Sequence, residues 1–295
     1  TLIHKAPAAD EIAALETIDL ALLLSGDDET SARLFEVAQS PGMFYLNFSN
    51  YSKEFVSALP RMYALTDRFF EQCDEEKWKL VRREQPENLD RGFKRSDCDE
   101  TFEMADDELL RGDLALPQIM DPDKELVKTF NRQNNAAALA LLASLSKSLK
   151  ASGKDVCLSQ HHVPTSTSDT GLKLVSEPSL SKLAEVGENK HTDSGTFTIL
   201  FYQEWGLHVF LSGAAAADGK RQKWAFAAPP QPGCALVNVA NSLQRLSGGT
   251  FHSPLHRVTQ PCDGDGKRYY LSYFLRPAHA TQRAWEDEAK KAEKA

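Results

Sequence analysis

The 295 residues contain no CxxC pair. The five cysteines, Cys73, Cys98, Cys157, Cys234 and Cys262, are odd in number and widely spaced. That spacing speaks against a zinc ribbon or a disulfide framework and fits a reducing compartment. No apolar run approaches the roughly 20 residues that a bilayer-spanning helix needs. The opening "TLIHKAPAADEIAALE" lacks the apolar region of a signal peptide, so a soluble, cytoplasmic protein is expected. Excess positive charge is missing too: 34 Lys and Arg stand against 42 Asp and Glu, a net charge of −8. Nucleic acid and anionic membrane surfaces attract basic patches, so neither is expected as a partner. Internal repeats and low-complexity stretches are also lacking. A hydrophobic fraction of 41% is ordinary for a globular protein and allows a sizeable core.

The first half reads mainly as helix. Residues 27–40 open with capping residues and set Leu34, Phe35 and Val37 on one apolar side. "GMFYLNFS" (42–49) is a strand candidate. Residues 54–81 form a long periodic stretch that Pro60 is expected to kink or divide. Residues 124–152, rich in Ala and Leu, make the clearest helix. After about residue 153 the pattern becomes strand, turn, strand. The runs are "TFTILFYQ", "GLHVFL", "KWAFAA", "CALVNVAN", "LHRVTQP" and "KRYYLSYFLRP", with "LSGAAAADGKRQ" as a loose hairpin connection. Short strands punctuated by Gly and Pro indicate a sandwich or barrel. The expected architecture is one α+β domain over 1–295. It comprises a mainly helical part (1–155), a β core (156–278) and a C-terminal surface helix (279–295).

One strand carries chemistry at its entrance. In "NKHTDSGTFTILFYQ" (189–203), His191 and Asp193 lie two apart, so a strand points both side chains to one face. An imidazole and a carboxylate supply two metal ligands and call for a third. His208, His252 and His256 are the candidates. His252 lies near a Gly-Gly turn, whereas His256 sits inside the plausible strand "PLHRV", so His256 is taken as the third. Two histidines and one carboxylate on one face match the non-haem Fe(II) oxygenase arrangement. His161 and His162, a loop pair outside the β core, are expected to be solvated.

The surrounding sequence resembles the isopenicillin N synthase-like branch of the Fe(II)/2-oxoglutarate-dependent oxygenases. "HTDSGTFTILFYQEWGLHVF", "KWAFAAPPQPGCALVNVANSLQRLSGGTFHSPLHRV" and "RYYLSYFLRP" carry the resemblance, which extends more loosely from about residue 16 to 278. It implies a double-stranded β-helix, or jelly roll, with His191, Asp193 and His256 as the metal triad at its mouth. The implied cofactors are Fe(II), 2-oxoglutarate and O₂. The implied reaction is hydrogen abstraction from a small organic molecule, with succinate and CO₂ as co-products and a fungal secondary-metabolite flavour. An oxidase of the same fold that takes all its electrons from its substrate is the alternative, and a non-catalytic metal-binding scaffold is the third reading.

The family's arginine for the distal carboxylate of 2-oxoglutarate falls on Arg268, in an Arg-x-Ser motif whose serine is Tyr270 here. A Tyr270 hydroxyl on the same strand face can donate to that carboxylate. The family's Asn-x-Tyr pair, aligned on Pro178, falls on Val175 and Glu177, and this segment is expected to be irregular. Phe274 and Phe93 are the implied substrate contacts. Arg257, beside the distal histidine, is expected to form a structural ion pair.

Overall fold

A computed structural model describes residues 7–85, 91–96, 99–112, 116–163, 165–177, 190–211, 223–258 and 268–292. The chain opens with β1 (Thr17–Asp19), α1 (Leu20–Ser25), α2 (Asp28–Gln39), β2 (Met43–Asn47), α3 (Lys53–Phe70) and α4 (Asp74–Trp78). There follow β3 (Gly92–Arg95), β4 (Glu100–Ala105), α5 (Asp106–Arg111) and α6 (Lys124–Ala151). The second half supplies β5 (Gly171–Glu177), β6 (Phe197–Phe201), β7 (Leu207–Leu211), β8 (Lys223–Phe226) and β9 (Cys234–Val239). It ends with α7 (Asn241–Leu246), β10 (His256–Val258), β11 (Arg268–Leu275) and α8 (His279–Ala292).

Eight strands form one sheet in the order β1-β2-β9-β6-β11-β5-β4-β3, and β10-β7-β8 form a second. An antiparallel bridge between His191 and His256 extends the smaller sheet by one position. Together they make an α+β jelly roll whose larger sheet is backed by the helices. The two halves of the chain are interleaved: β2 pairs with β9, and β4 pairs with β5.

Strand periodicity sorts the β11 side chains. Tyr269, Leu271, Tyr273 and Leu275 join the cluster against the helices. Tyr270 joins the cluster inside the roll, with Tyr202, Leu207, Val209, Leu236 and Val175. A strand with both faces covered reads as a near-continuous apolar run, which explains "CALVNV" in β9. On the helical side, Phe55 of α3 stacks on Phe130 of α6 at 4.9 Å, and both rings lie against Phe201 of β6. Each fully buried aromatic contributes roughly 1.5–3 kcal/mol by burial, so this trio anchors the helices to the sheet.

Two expectations need correction. The helix over 53–70 continues through Pro60, and the break falls at 71–73 instead. Ser52 caps its start by accepting from the Phe55 amide at 3.1 Å. The segment leading to Pro178 is regular: β5 pairs on both edges, with β11 and with β4. Pro178, residues 212–222 of the expected hairpin connection, Cys98 and Cys262 lie outside the described residues. Among the described residues, no helix is long and apolar enough to cross a membrane.

Candidate metal centre

His191, Asp193 and His256 converge, with one ligand atom from each lying within 4.8 Å of the others. The Asp193 Oδ1 stands 3.7 Å from the His191 Nε2 and 3.5 Å from the His256 Nε2. Three donors at about 2.1 Å from one ion, at right angles, stand roughly 3 Å apart, so a small inward movement completes a facial set. The backbone brings them together: the amides of His191 and His256 each donate to the other's carbonyl at 2.9 Å.

Outer contacts orient each donor. The Asp193 Oδ2 accepts from the Thr198 hydroxyl at 2.6 Å and from the Asn238 Nδ2 at 3.3 Å, leaving Oδ1 for the imidazoles. The His256 Nδ1 lies 3.1 Å from the Pro254 carbonyl, which makes Nδ1 the protonated nitrogen and aims Nε2 inward. Burial alone pushes the Asp193 carboxyl up. Contacts from His256, Thr198 and His191 outweigh it and hold the group below the usual carboxylate range. Burial likewise pulls His256 down, and Asp193 more than restores it. His256 is nearly enclosed, while the His191 side chain is 47% exposed, so the open side of the set lies by His191.

Gly42 fixes the approach to His256. At φ +80° it sits so close that an added Cβ would lie 1.9 Å from the His252 carbonyl oxygen. His252 belongs to this supporting segment, its amide donating to the Ala38 carbonyl. His208 projects on the other face of β7, where its ring lies 3.7 Å from that of Phe226. Among the described residues, Arg257 makes no ion pair of the kind expected. Its guanidinium lies 4.1 Å over the Trp224 ring and 3.4 Å from the His208 Nδ1. The expected solvation of His162 is also wrong. It is buried, its Nε2 lies 2.7 Å from the Thr196 hydroxyl, and burial pulls it down to about 4. A neutral imidazole thus braces the metal-bearing segment from behind.

At the other end of β11, Arg268 is 3% exposed and faces Glu177 across the strand pair, donating to its Oε2 at 2.6 Å. Tyr270 faces the smaller Val175. Its hydroxyl is buried and has no hydrogen-bond partner among the described residues. An orphaned donor beside a buried guanidinium suits a ligand carboxylate. Phe274 shares the strand face of Arg268 and Tyr270 and lies opposite Thr198, the residue that holds Asp193. Lys173 and Arg276 flank its ring at 5.6 and 4.6 Å.

Phe93 is not at this site. It faces Phe102 on the sheet's helical side, is fully buried, and packs edge-on against Trp78 at 5.4 Å. Strand alternation sends its neighbours, not Phe93, toward the roll.

Sequence reasoning missed Thr198, Asn238 and Glu177. A polar Asn within the apolar run "ALVNVA" was a usable signal, because buried amides require partners. Glu177 gave a weaker one, as a charge closing an alternating strand.

The 2OG-Fe(II) oxygenase superfamily model matches residues 154–277. A 2-oxoglutarate-dependent dioxygenase of Gibberella zeae, FG08081, is 32% identical over 91% of this chain and 81% of its own length. The oxidoreductase vrtI of Penicillium aethiopicum is 32% identical over 92% of this chain, which spans 65% of that relative's length. A full-length Neurospora crassa protein, solved in complex with alpha-KG and 5-formyluracil, superposes with a TM-score of 0.71 at 23% identity, covering 94% of this chain and 89% of the other. That likeness shows the jelly-roll fold. With the Gibberella relative matched along most of both chains, this chain belongs to the 2OG-Fe(II) oxygenase superfamily, which uses Fe(II), 2-oxoglutarate and O₂.

Proposed function

We propose that this chain is an Fe(II)/2-oxoglutarate-dependent oxygenase that oxidises a small organic molecule of the secondary-metabolite kind. The carrying observation is the arrangement of His191, Asp193 and His256, with Asp193 Oδ1 facing the Nε2 atoms of both imidazoles. Fungal relatives named as 2-oxoglutarate-dependent dioxygenases support the substrate class. The net charge of −8 favours a small molecule over nucleic acid, and the odd, scattered cysteines favour a cytoplasmic setting.

In this reading the three side chains hold the iron. Bound there with 2-oxoglutarate and O₂, it supplies the oxidising power for hydrogen abstraction, with succinate and CO₂ as co-products. Thr198 and Asn238 fix Asp193 as a one-oxygen ligand. Arg268 and the Tyr270 hydroxyl receive the co-substrate's distal carboxylate, and Phe274 forms a wall for the substrate.

The Arg268–Glu177 pair favours a second reading, an oxidase of the same fold that needs no 2-oxoglutarate, because the cation already has a carboxylate. Succinate separates the two. The enzyme, given Fe(II), ascorbate, O₂ and 2-oxoglutarate, is expected to release succinate even without its primary substrate, at a slow uncoupled rate. O₂ consumption on substrate without succinate would establish the oxidase instead.

A further inference from the structure

Arg268 and Glu177 stand directly opposite each other in the β5–β11 ladder, 2.6 Å apart, with side-chain exposures of 2% and 15%. On the reading above, the same guanidinium receives the distal carboxylate of 2-oxoglutarate. A second ionised carboxylate beside that buried cation would leave a net negative charge in a site with little water. Like charges a few ångströms apart disfavour joint ionisation, and one of them takes up a proton.

We propose that Glu177 is a resident carboxylate gating 2-oxoglutarate at Arg268: the co-substrate binds with uptake of one proton by Glu177, so its affinity falls as pH rises. The proposal rests on Arg268 being the co-substrate's cation. Once neutral, Glu177 becomes a donor and joins Arg268 and the Tyr270 hydroxyl around the incoming carboxylate.

The surroundings of Glu177 agree. Burial pushes its carboxyl up to about 7, Arg268 opposes that rise, and Asp99 adds to it. Arg268 and Tyr270 face it from β11, and Asp99 precedes β4. Glu204, past β6, acts on Tyr270. Lys94 of β3 stands in the next row of the same sheet face, aligned through Thr101 with Val175. Glu100 of β4 lies on the opposite face, opposite Ser176, and pairs with Lys77.

The sign follows from the proton count. Well below pH 7 free Glu177 is already protonated, and affinity is flat. Above pH 7 each binding event takes up one proton, so Kd rises toward tenfold per pH unit. Metal binding generally strengthens as pH rises, an opposite trend, so the enzyme must be metal-saturated throughout.

The test is anaerobic calorimetric titration of Fe(II)-saturated enzyme with 2-oxoglutarate between pH 6 and 8.5, in buffers of different ionisation enthalpy. Wild type should take up close to one proton at pH 8, with Kd rising toward tenfold from pH 7.5 to 8.5. Glu177→Gln should remove both the uptake and the slope and bind at least about tenfold more tightly at pH 8. A flat wild-type profile without proton uptake would overturn the proposal while leaving 2-oxoglutarate as co-substrate, as would an unchanged slope in Glu177→Gln. Failure of both proteins to bind 2-oxoglutarate at any pH would overturn the co-substrate reading and the proposal together. The wild-type arm needs no substitution, so it stands however well the variant folds.

Discussion

The two ends of the roll's interior are prepared differently. At the metal end the donors are held and aimed: Asp193 Oδ2 is held by Thr198 and Asn238, His256 Nδ1 by Pro254, and Asp193 Oδ1 faces the Nε2 atoms of both imidazoles. At the Arg268 end the cation is already engaged by Glu177, while the nearby Tyr270 hydroxyl has no partner among the described residues. One end is preorganised for its ligand. The other must exchange one interaction for another before its ligand fits. Preorganisation lowers the cost of binding, whereas exchange makes binding conditional on protonation and on competing charge.

Removing a metal ligand should break the first half of that comparison most severely. Asp193→Ala is expected to weaken Fe(II) binding by well over about 100-fold, because outer contacts alone are worth 10–100-fold. Calorimetric metal titration measures it. Arg268→Leu probes the other end. It leaves Glu177 buried without its partner, and should cost up to about 3–5 kcal/mol of stability at pH 8.5 and less toward pH 6, where Glu177 is protonated, by urea denaturation. The double variant Arg268→Leu/Glu177→Leu should recover most of that loss, since two apolar groups replace a buried pair. Equal losses in both would mean that the pair is not mutually dependent.

Thr198→Val is a finer probe of preorganisation. It removes the 2.6 Å donation to Asp193 and should weaken metal binding by about 10-fold or more, with Asn238 still in place. Tyr270→Phe gives the smallest effect and the sharpest contrast. Deleting an unsatisfied buried hydroxyl should leave stability unchanged or raise it by up to about 1 kcal/mol. Affinity for 2-oxoglutarate should nevertheless fall by roughly 10-fold, the worth of one hydrogen bond to a charged group. Stability and affinity moving in the same direction would place the hydroxyl elsewhere.

Much of the metal end was legible in the sequence because short-range geometry encodes it. His191 and Asp193 share a face through period-2 alternation, and "PLHRV" marks His256 as a strand residue. The long helix over 124–151 follows from Ala and Leu propensity. What the sequence hid depends on pairing between distant strands. That Glu177 meets Arg268 follows from the β5–β11 register, which no local pattern specifies. Phe93 looked like a pocket residue by resemblance, yet one strand position decides which sheet face it occupies. Pro60 is a strong local breaker, but α3 is fixed by Phe55, Met62, Leu65 and Phe69 buried along one side, and tertiary packing prevails over propensity there. His162 looked like a loop residue, and its burial against Thr196 depends on where the following strands close over it.

The central claim is a preformed iron site that accepts 2-oxoglutarate at a cation it must first release from Glu177. Its most direct measurement is anaerobic Fe(II) titration followed by 2-oxoglutarate, monitored in the visible region. A weak metal-to-ligand charge-transfer band is expected only when both are present, absent in Asp193→Ala, and reaching half-saturation at lower 2-oxoglutarate at pH 6.5 than at pH 8. Stoichiometric Fe(II) binding with no such band at any pH would contradict it.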